Sequence, residues 1–188
     1  EDIQRFRIHR GSEAAIFGMR EMQSIIRDAE VSFDRPGLDD FLHERETILI
    51  DELNQIYRPM ETDLLQIVLS YLKNEFGETT DGWFINGTPA AVRQRVLSER
   101  DKQANEGKSL EECFTMTTDA KLIFESYRSD FQSLLKAPDL RWLDELQTIR
   151  NGISHAPYDI KPHWISYLTH EIQPMIDNAK RSLGLVSE

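Results

Sequence analysis

Apolar residues recur every three or four positions along most of the chain, a spacing that places them on one face of a helix. This pattern predicts helices over residues 12–29, 38–57, 60–76, 118–126, 128–136, 139–154 and 163–183, and another that starts at Thr88-Pro89. Runs of β-branched residues, which would indicate strands, are absent. Residues 60–76 are apolar on nearly every side, which is typical of a helix at the centre of a bundle. The sequence therefore predicts an all-α helical bundle.

Proline residues mark two expected irregularities in these helices. We predict that Arg58-Pro59 ends one helix and separates it from the next, because the residue before a proline is pushed out of helical geometry. We predict an approximate domain boundary at this point. Residues 1–58 would form a helical arm or linker, and residues 59–188 would form a compact bundle. Pro174 lies inside the last helix and is expected to kink it.

The connections between helices carry their own signals. Residues 81–87 are rich in glycine and aromatic side chains, and we predict a loop with a buried aromatic anchor. Thr88 is predicted to cap the helix that follows. Residues 101–109 are polar and predict a flexible loop, after which Ser109 and Glu112 have the spacing of a capping box.

Composition and charge narrow the class of protein. Of the 188 residues, 39% are hydrophobic, which is enough to build a core. Lys and Arg number 22 against 33 Asp and Glu, so the net charge is −11. This charge excludes a protein that coats nucleic acid non-specifically, since such binding needs many Lys and Arg contacts. It leaves room for a small basic site that touches one phosphate.

The cysteine count and the hydropathy of the chain indicate its cellular compartment. Cys113 is the single cysteine, which excludes a disulfide framework and a Cys-rich zinc site and indicates a reducing compartment. No apolar run reaches membrane-spanning length, and no signal peptide is visible. We therefore expect a cytoplasmic protein without a membrane partner. Because the chain starts at Glu1 rather than Met, we also expect a larger parent protein or regulatory domain.

The candidate chemistry lies at the end of the predicted helix 139–154. There Arg150, Asn151 and His155 come just before the turn at Ala156-Pro157. Histidine suits proton transfer because its pKa lies near neutral pH, and arginine offers planar donors that fit phosphate oxygens. The spacing alone is common by chance. Cationic side chains also stabilise helix C-termini through the helix dipole, so a purely structural role stays open.

This segment resembles the signature of the HEPN superfamily (higher eukaryotes and prokaryotes nucleotide-binding). That signature is an Arg, often followed by Asn, and then a His four to six residues beyond the Arg, at a helix end. Arg150, Asn151 and His155 match it. The resemblance covers residues 60–182 and is to larger variants fused to the C-termini of bigger proteins. Ile153 stands where variants from toxin–antitoxin pairs carry a Tyr.

The resemblance implies a homodimeric helical bundle that cleaves RNA without a metal or cofactor. Its catalytic residues would be Arg150, Asn151 and His155. The 2′-hydroxyl of the RNA would be the nucleophile, leaving a 2′,3′-cyclic phosphate and a 5′-hydroxyl. Stress response, defence against phage and toxin activity are roles that this family often has.

The spacing of the motif raises a geometric question. Five residues at about 100° each put Arg150 and His155 about 140° apart around a regular helix. Either the helix loosens at Gly152, or Arg150 reaches round, or residues of two chains combine in one site. We favour the last, since the family's dimers bring two such motifs together. Asn151 would then steady the histidine or the nearby backbone.

Other polar residues have plainer interpretations. His163 and His170 share a predicted helix face with Glu171 nearby, but no third ligand is placed beside them, so we expect a solvated pair rather than a metal site. A basic strip for RNA is conceivable on the helix after Thr88, but a solvated face is expected at Arg93, Arg95 and Arg100. The tryptophans are expected to be core anchors: Trp83, Trp142 and Trp164.

Two function classes follow. The first is a metal-independent RNA endonuclease. The second is a non-catalytic HEPN-like module for dimerisation or docking within a larger assembly, which the acidic charge and the extra residues 1–58 favour. The local surface near His155 would separate them, because an enzyme that binds RNA needs a positive cleft there.

Overall fold

A computed structural model describes residues 38–154 and 160–185 of the chain. The helix predicted over 12–29 and the motif residue His155 lie outside the described residues. The chain separates into two compact units, Glu1–Asp51 and Glu52–Glu188. This division falls shortly before the one that the sequence suggests near Arg58. The described part of the first unit, residues 38–51, is the start of the first described helix.

Helices make up most of the described residues, and no strand occurs among them. The α-helices are α1 (Leu38–Phe76), α2 (Ala90–Arg100), α3 (Lys121–Ser126), α4 (Arg128–Leu135), α5 (Trp142–Ser154), α6 (His163–Tyr167) and α7 (Gln173–Ser182). Three π-helical turns lie between them, over Thr80–Asn86, Met116–Ala120 and Leu168–Ile172. The predicted all-α fold is confirmed. Among the described helices, none combines the length and the hydropathy of a membrane-spanning segment.

The C-terminal half of α1 supplies much of the core of the second unit. Its most deeply buried side chains are those of Leu64, Ile67, Val68 and Leu72. The Tyr71 hydroxyl donates to Asp130 on α4 at 2.5 Å, and Lys180 on α7 donates to Asp63 at 2.8 Å. This half of α1 is therefore held by helices far along the chain, as its apolar pattern predicts.

The predicted break at Arg58-Pro59 is wrong, because α1 continues through Pro59. Tyr57 and Met60 on either side of the proline are buried, so packing stabilises the helix on both sides of it. Pro59 itself is exposed, and so is Gln55, whose carbonyl loses its helical donor at the proline. Water can therefore satisfy that carbonyl, which lowers the free-energy cost of an internal proline.

The segment after α1 is helical rather than the predicted loop. Gly77 ends α1 with a φ of 90°, and a π-helical turn follows over Thr80–Asn86. Trp83 in this turn is buried, so the predicted aromatic anchor is confirmed. The backbone of Gly82 lies so close to the Phe76 carbonyl that a Cβ would overlap that oxygen. A glycine at position 82 thus allows the turn to fold back against the end of α1.

Of the two predicted capping interactions, one is wrong and the other is confirmed. Thr88 does not cap α2: its hydroxyl donates to the Trp83 carbonyl at 3.0 Å, and Pro89 occupies the cap position. The capping box is confirmed, because Ser109 N donates to Glu112 Oε2 at 2.8 Å and Glu112 N donates to Ser109 Oγ at 3.3 Å. Asn105, within the segment predicted as a flexible loop, is buried and donates to Glu99.

The last helix is interrupted where the sequence places a proline. The predicted helix 163–183 appears as α6, the π-helical turn Leu168–Ile172, and α7 with Pro174 in its first turn. Pro174 has no N–H to give to the carbonyl four residues before it, and the π turn changes the hydrogen-bond register at that point. The two short helices predicted near 118–126 and 128–136 are confirmed as α3 and α4.

Candidate functional site

The helix α5 positions two of the three predicted site residues. Its buried face consists of Trp142, Leu143, Leu146 and Ile149, with Gly152 in the last turn. This stripe fixes the rotation of α5 against the core and leaves Arg150 half-buried and Asn151 exposed. The side-chain Oδ1 of Asn151 accepts a hydrogen bond of 3.1 Å from Gln147 Nε2, one turn earlier. The two side chains therefore project from a well-anchored helix end.

The last turn of α5 is fixed by close packing on α6. The Gly152 backbone lies directly against the Trp164 ring, so that a Cβ at position 152 would be 2.8 Å from Trp164 Cζ3. Trp164 is 2% exposed and donates from Nε1 to Glu145 Oε1 at 3.1 Å. One tryptophan thus contacts both ends of α5. Arg150 and Asn151 lie between these two contacts in sequence and are therefore held on a rigid element.

Arg150 differs from Arg93 and Arg95, the other half-buried arginines among the described residues of the second unit. Its guanidinium makes no hydrogen bond and no ion pair with any described residue. By contrast, Arg95 forms an ion pair with the buried Asp119, and Arg141 donates to Asp139 at 2.7 Å. A half-buried arginine whose donors are unused can bind an anion from outside the chain.

The positive charge of Arg150 also acts on the hydroxyl of Tyr57 on α1. Burial raises the pKa of Tyr57 well above its usual value, Glu61 raises it further, and the positive charge of Arg150 opposes both. The phenol therefore stays neutral at physiological pH. The arginine of α5 and this part of α1 thus belong to one electrostatic neighbourhood. Sequence reasoning did not place Tyr57 there, since the two residues are far apart in the chain and no motif joins them.

The arginines of α2 do not form a strip for RNA. Arg93 donates to the backbone carbonyls of Ile85, at 2.6 Å, and of Thr88, while Arg95 binds Asp119 and the Cys113 carbonyl. These contacts hold neighbouring segments of the bundle together. The expectation of a solvated face is wrong for both residues, because each is half-buried with internal partners. Arg100 is exposed and lies 3.9 Å from Asp101.

The path of α5 tests one of the three explanations for how Arg150 and His155 could act together. The helix is regular through Gly152 and up to Ser154, so it does not loosen at the glycine. His155 and the four residues after it lie outside the described residues. The structure thus places Arg150 and Asn151 on one helix end but does not bring His155 to either of them. The two remaining arrangements, within one chain or between two chains, both stay predictions.

The structure also places the three tryptophans and the two histidines that the sequence singles out. Trp83, Trp142 and Trp164 are 4%, 7% and 2% exposed, which confirms them as core anchors. His163 and His170 are both exposed. Within residues 38–154 and 160–185, no three His, Cys, Asp or Glu side chains lie close enough to share a metal ion.

Comparison with known proteins adds no relative. The chain matches no protein-family model, no curated protein and no solved structure. The resemblance to HEPN domains therefore depends on the motif residues Arg150, Asn151 and His155, together with the all-α fold.

Proposed function

We propose that this chain is a metal-independent RNA endonuclease whose chemistry is performed by Arg150 and His155. The observation that carries the proposal is the half-buried guanidinium of Arg150, which lies at the end of a rigid helix and has no hydrogen-bond or ion-pair partner among the described residues. An arginine held only to cap the helix would direct its donors to the last carbonyls of α5, and no such hydrogen bond is present among the described residues.

The proposed roles follow from the chemistry of RNA cleavage. The reaction needs a base for the 2′-hydroxyl proton, a donor for the charged phosphorane and an acid for the departing 5′-oxygen. Arg150 stabilises the phosphorane, because its charge is permanent and its donors fit phosphate oxygens. His155 transfers the protons, and Asn151 steadies the histidine or the backbone beside it. The nucleophile belongs to the substrate, so the mechanism needs no metal.

The net charge limits how the protein meets its substrate. At −11 the surface repels an RNA backbone on average, so few phosphates are expected to contact it. We therefore infer that affinity comes from a small number of contacts near Arg150. The salt dependence of binding should then be shallow, because each neutralised phosphate adds to the slope of log K against log salt.

The test is RNA cleavage by the purified protein in excess EDTA. We expect the wild-type protein to produce 2′,3′-cyclic phosphate ends. Arg150→Ala and His155→Ala should each reduce the cleavage rate by about 100-fold or more, the usual range for loss of a transition-state donor or a general acid–base. Asn151→Ala, as a positioning change, should reduce the rate by about tenfold.

Matched controls separate the site from general loss of positive charge. Arg128→Ala removes an exposed arginine on α4, and His170→Ala removes an exposed histidine. Both controls should cleave like wild type. Equal activity in Arg150→Ala and Arg128→Ala would refute the assignment of Arg150. An inactive wild-type protein that still forms dimers would instead favour the non-catalytic module, which the acidic surface also supports.

A further inference from the structure

A groove lies between the start of α5 and the segment that runs from α6 into α7. Its volume is about 600 Å³, within the range of small-molecule sites. It is lined by Pro138, Asp139, Arg141, Trp142, Glu145, His163, Tyr167, Glu171, Ile172 and Met175. We call this the α5–α6 groove. Its α5 residues belong to the first turns of that helix, whereas Arg150 belongs to the last, so the groove is separate from the proposed catalytic residues.

The groove combines aromatic walls with carboxylates. Trp142 and Tyr167 supply the aromatic rings, and Pro138, Ile172 and Met175 add apolar surface. Glu171 makes no hydrogen bond and no salt bridge with any described residue. The other two carboxylates have partners: Asp139 binds Arg141 at 2.6 Å, and Glu145 accepts from Trp164.

The balance of charge in the groove is negative. Three carboxylates face one guanidinium, so the lining carries a net charge of −2 with His163 neutral. The same carboxylates act on Tyr167: burial, then Glu171, Glu145 and Asp139, raise the pKa of its hydroxyl to about 12. The hydroxyl therefore stays protonated at neutral pH, and the site disfavours phosphate and other anions.

We propose that the α5–α6 groove binds an aliphatic diamine or polyamine. Aromatic faces attract ammonium groups through their quadrupoles, and the attraction increases where the groove excludes water. The Glu171 carboxylate has no partner among the described residues and so is available for one ammonium, while Glu145 has a second oxygen beyond the one that Trp164 occupies. The methylene chain between two ammonium groups would pack on Ile172 and Met175.

The chemistry of the groove lining disfavours other small ligands. A metal ion needs several close donors, and the described residues contain no group of three that could hold one. A nucleotide or sugar phosphate would bring negative charge to a lining that is already negative. A single amine would neutralise only one of the two net charges, so the diamine is the better match. This inference does not depend on the proposed ribonuclease.

Calorimetric titration of the full chain with putrescine, the four-carbon diamine, tests the proposal. We expect one saturable site. Glu171→Gln should weaken binding by about five- to tenfold, as loss of one carboxylate near an ammonium at the surface predicts. The matched control Glu125→Gln removes an exposed carboxylate on α3, outside the groove, and should leave affinity unchanged. Butylamine, with one charge, should bind more weakly than putrescine.

A second variant keeps the test independent of one carboxylate. Met175→Lys puts an ammonium of the protein itself into the groove and should abolish putrescine binding, while circular dichroism confirms that the variant folds. Amide chemical-shift changes on titration should concentrate in residues 138–145 and 163–175. Equal affinity of the two glutamine variants, or shift changes spread over the acidic surface, would show non-specific counter-ion binding and overturn the proposal.

Discussion

Single residues at the end of α5 explain why this helix can present a site. Gly152 lets the Trp164 ring approach the backbone, and Trp164 in turn binds Glu145 near the other end of the helix. Arg150, two positions before the glycine, keeps its donors free of described partners. Tight packing and an unused cation in one helical turn are the combination that a preorganised phosphate site needs.

Substitution of Gly152 by Ala tests this packing. Alanine in a helix interior normally stabilises by about 0.5–1 kcal/mol relative to glycine. Here the new Cβ would lie 2.8 Å from Trp164 Cζ3, and overpacking of this kind costs about 1–3 kcal/mol. We expect Gly152→Ala to lower the free energy of unfolding in urea, with Ser154→Ala, exposed on the same helix, as the near-neutral control. A more stable Gly152→Ala protein would contradict the contact.

The sequence could predict the local members of the site but not the distant ones. Arg150 and Asn151 were identifiable because they follow an apolar stripe and stand in a recognisable motif. Tyr57 was not, because its relation to Arg150 exists only once α1 and α5 pack in the same fold. The α5–α6 groove was missed for the same reason. Its lining comes from two helices joined by residues whose spacing carries no signal of its own.

At the scale of elements, α1 shows how packing can overcome a local breaker. Pro59 removes one helical hydrogen bond, yet α1 continues because buried residues on both sides hold it. Pro59→Ala restores the donor to the Gln55 carbonyl and removes the steric conflict. We expect the free energy of unfolding to increase by about 1–2 kcal/mol. The gain is only partial because the unfolded chain without the proline has more conformational entropy to lose on folding.

Thermal and urea unfolding would measure that gain. Gln66→Ala, an exposed position on the same helix, is the control and should change stability by less than about 0.5 kcal/mol. A destabilised Pro59→Ala protein would mean that the proline has a local role that the buried neighbours Tyr57 and Met60 do not reveal.

The elements that the sequence predicted correctly are those with their own strong signal. The stripe of α5, the short helices α3 and α4, and the Ser109–Glu112 box all depend on neighbouring residues. The π-helical turn Thr80–Asn86 depends instead on distant ones: Arg93 binds the Ile85 carbonyl, and the Tyr127 hydroxyl donates to the Gly87 carbonyl at 2.5 Å. Local sequence patterns do not predict such contacts.

For the molecule as a whole, buried tyrosines predict sensitivity to alkali. Burial is the main cause that raises the pKa values of Tyr57, Tyr71, Tyr127 and Tyr167, the last to about 12. An unfolded tyrosine titrates near pH 10, so between about pH 10 and 12 the folded chain holds more protons than the unfolded chain. The stabilisation from these groups is therefore complete below pH 10 and is lost as pH rises further.

Melting temperatures measured from pH 8 to 11.5 would check this expectation. The melting temperature should fall steeply above pH 10, and Tyr167→Phe should make the decline shallower while changing the value at pH 7 little. A melting temperature that stays constant to pH 11 would show that these hydroxyls are not shielded as the structure indicates.

The largest scale is the proposed dimer, and its test distinguishes the two arrangements that the regular α5 leaves open. If each site combines Arg150 of one protomer with His155 of the partner subunit, a heterodimer of Arg150→Ala and His155→Ala chains contains one intact site and one doubly defective site. Equal mixing of two inactive variants gives about half heterodimers by random exchange, and so about one quarter of wild-type activity.

Mixing after brief unfolding and refolding lets the protomers exchange. Recovered RNA cleavage in EDTA would then place the two side chains in different chains. Each variant refolded alone is the control and should stay inactive. If wild type is active and dimeric but the mixture stays inactive, both residues act within one chain. In that case Arg150 must reach round α5 toward His155, because the helix keeps its regular geometry through Gly152.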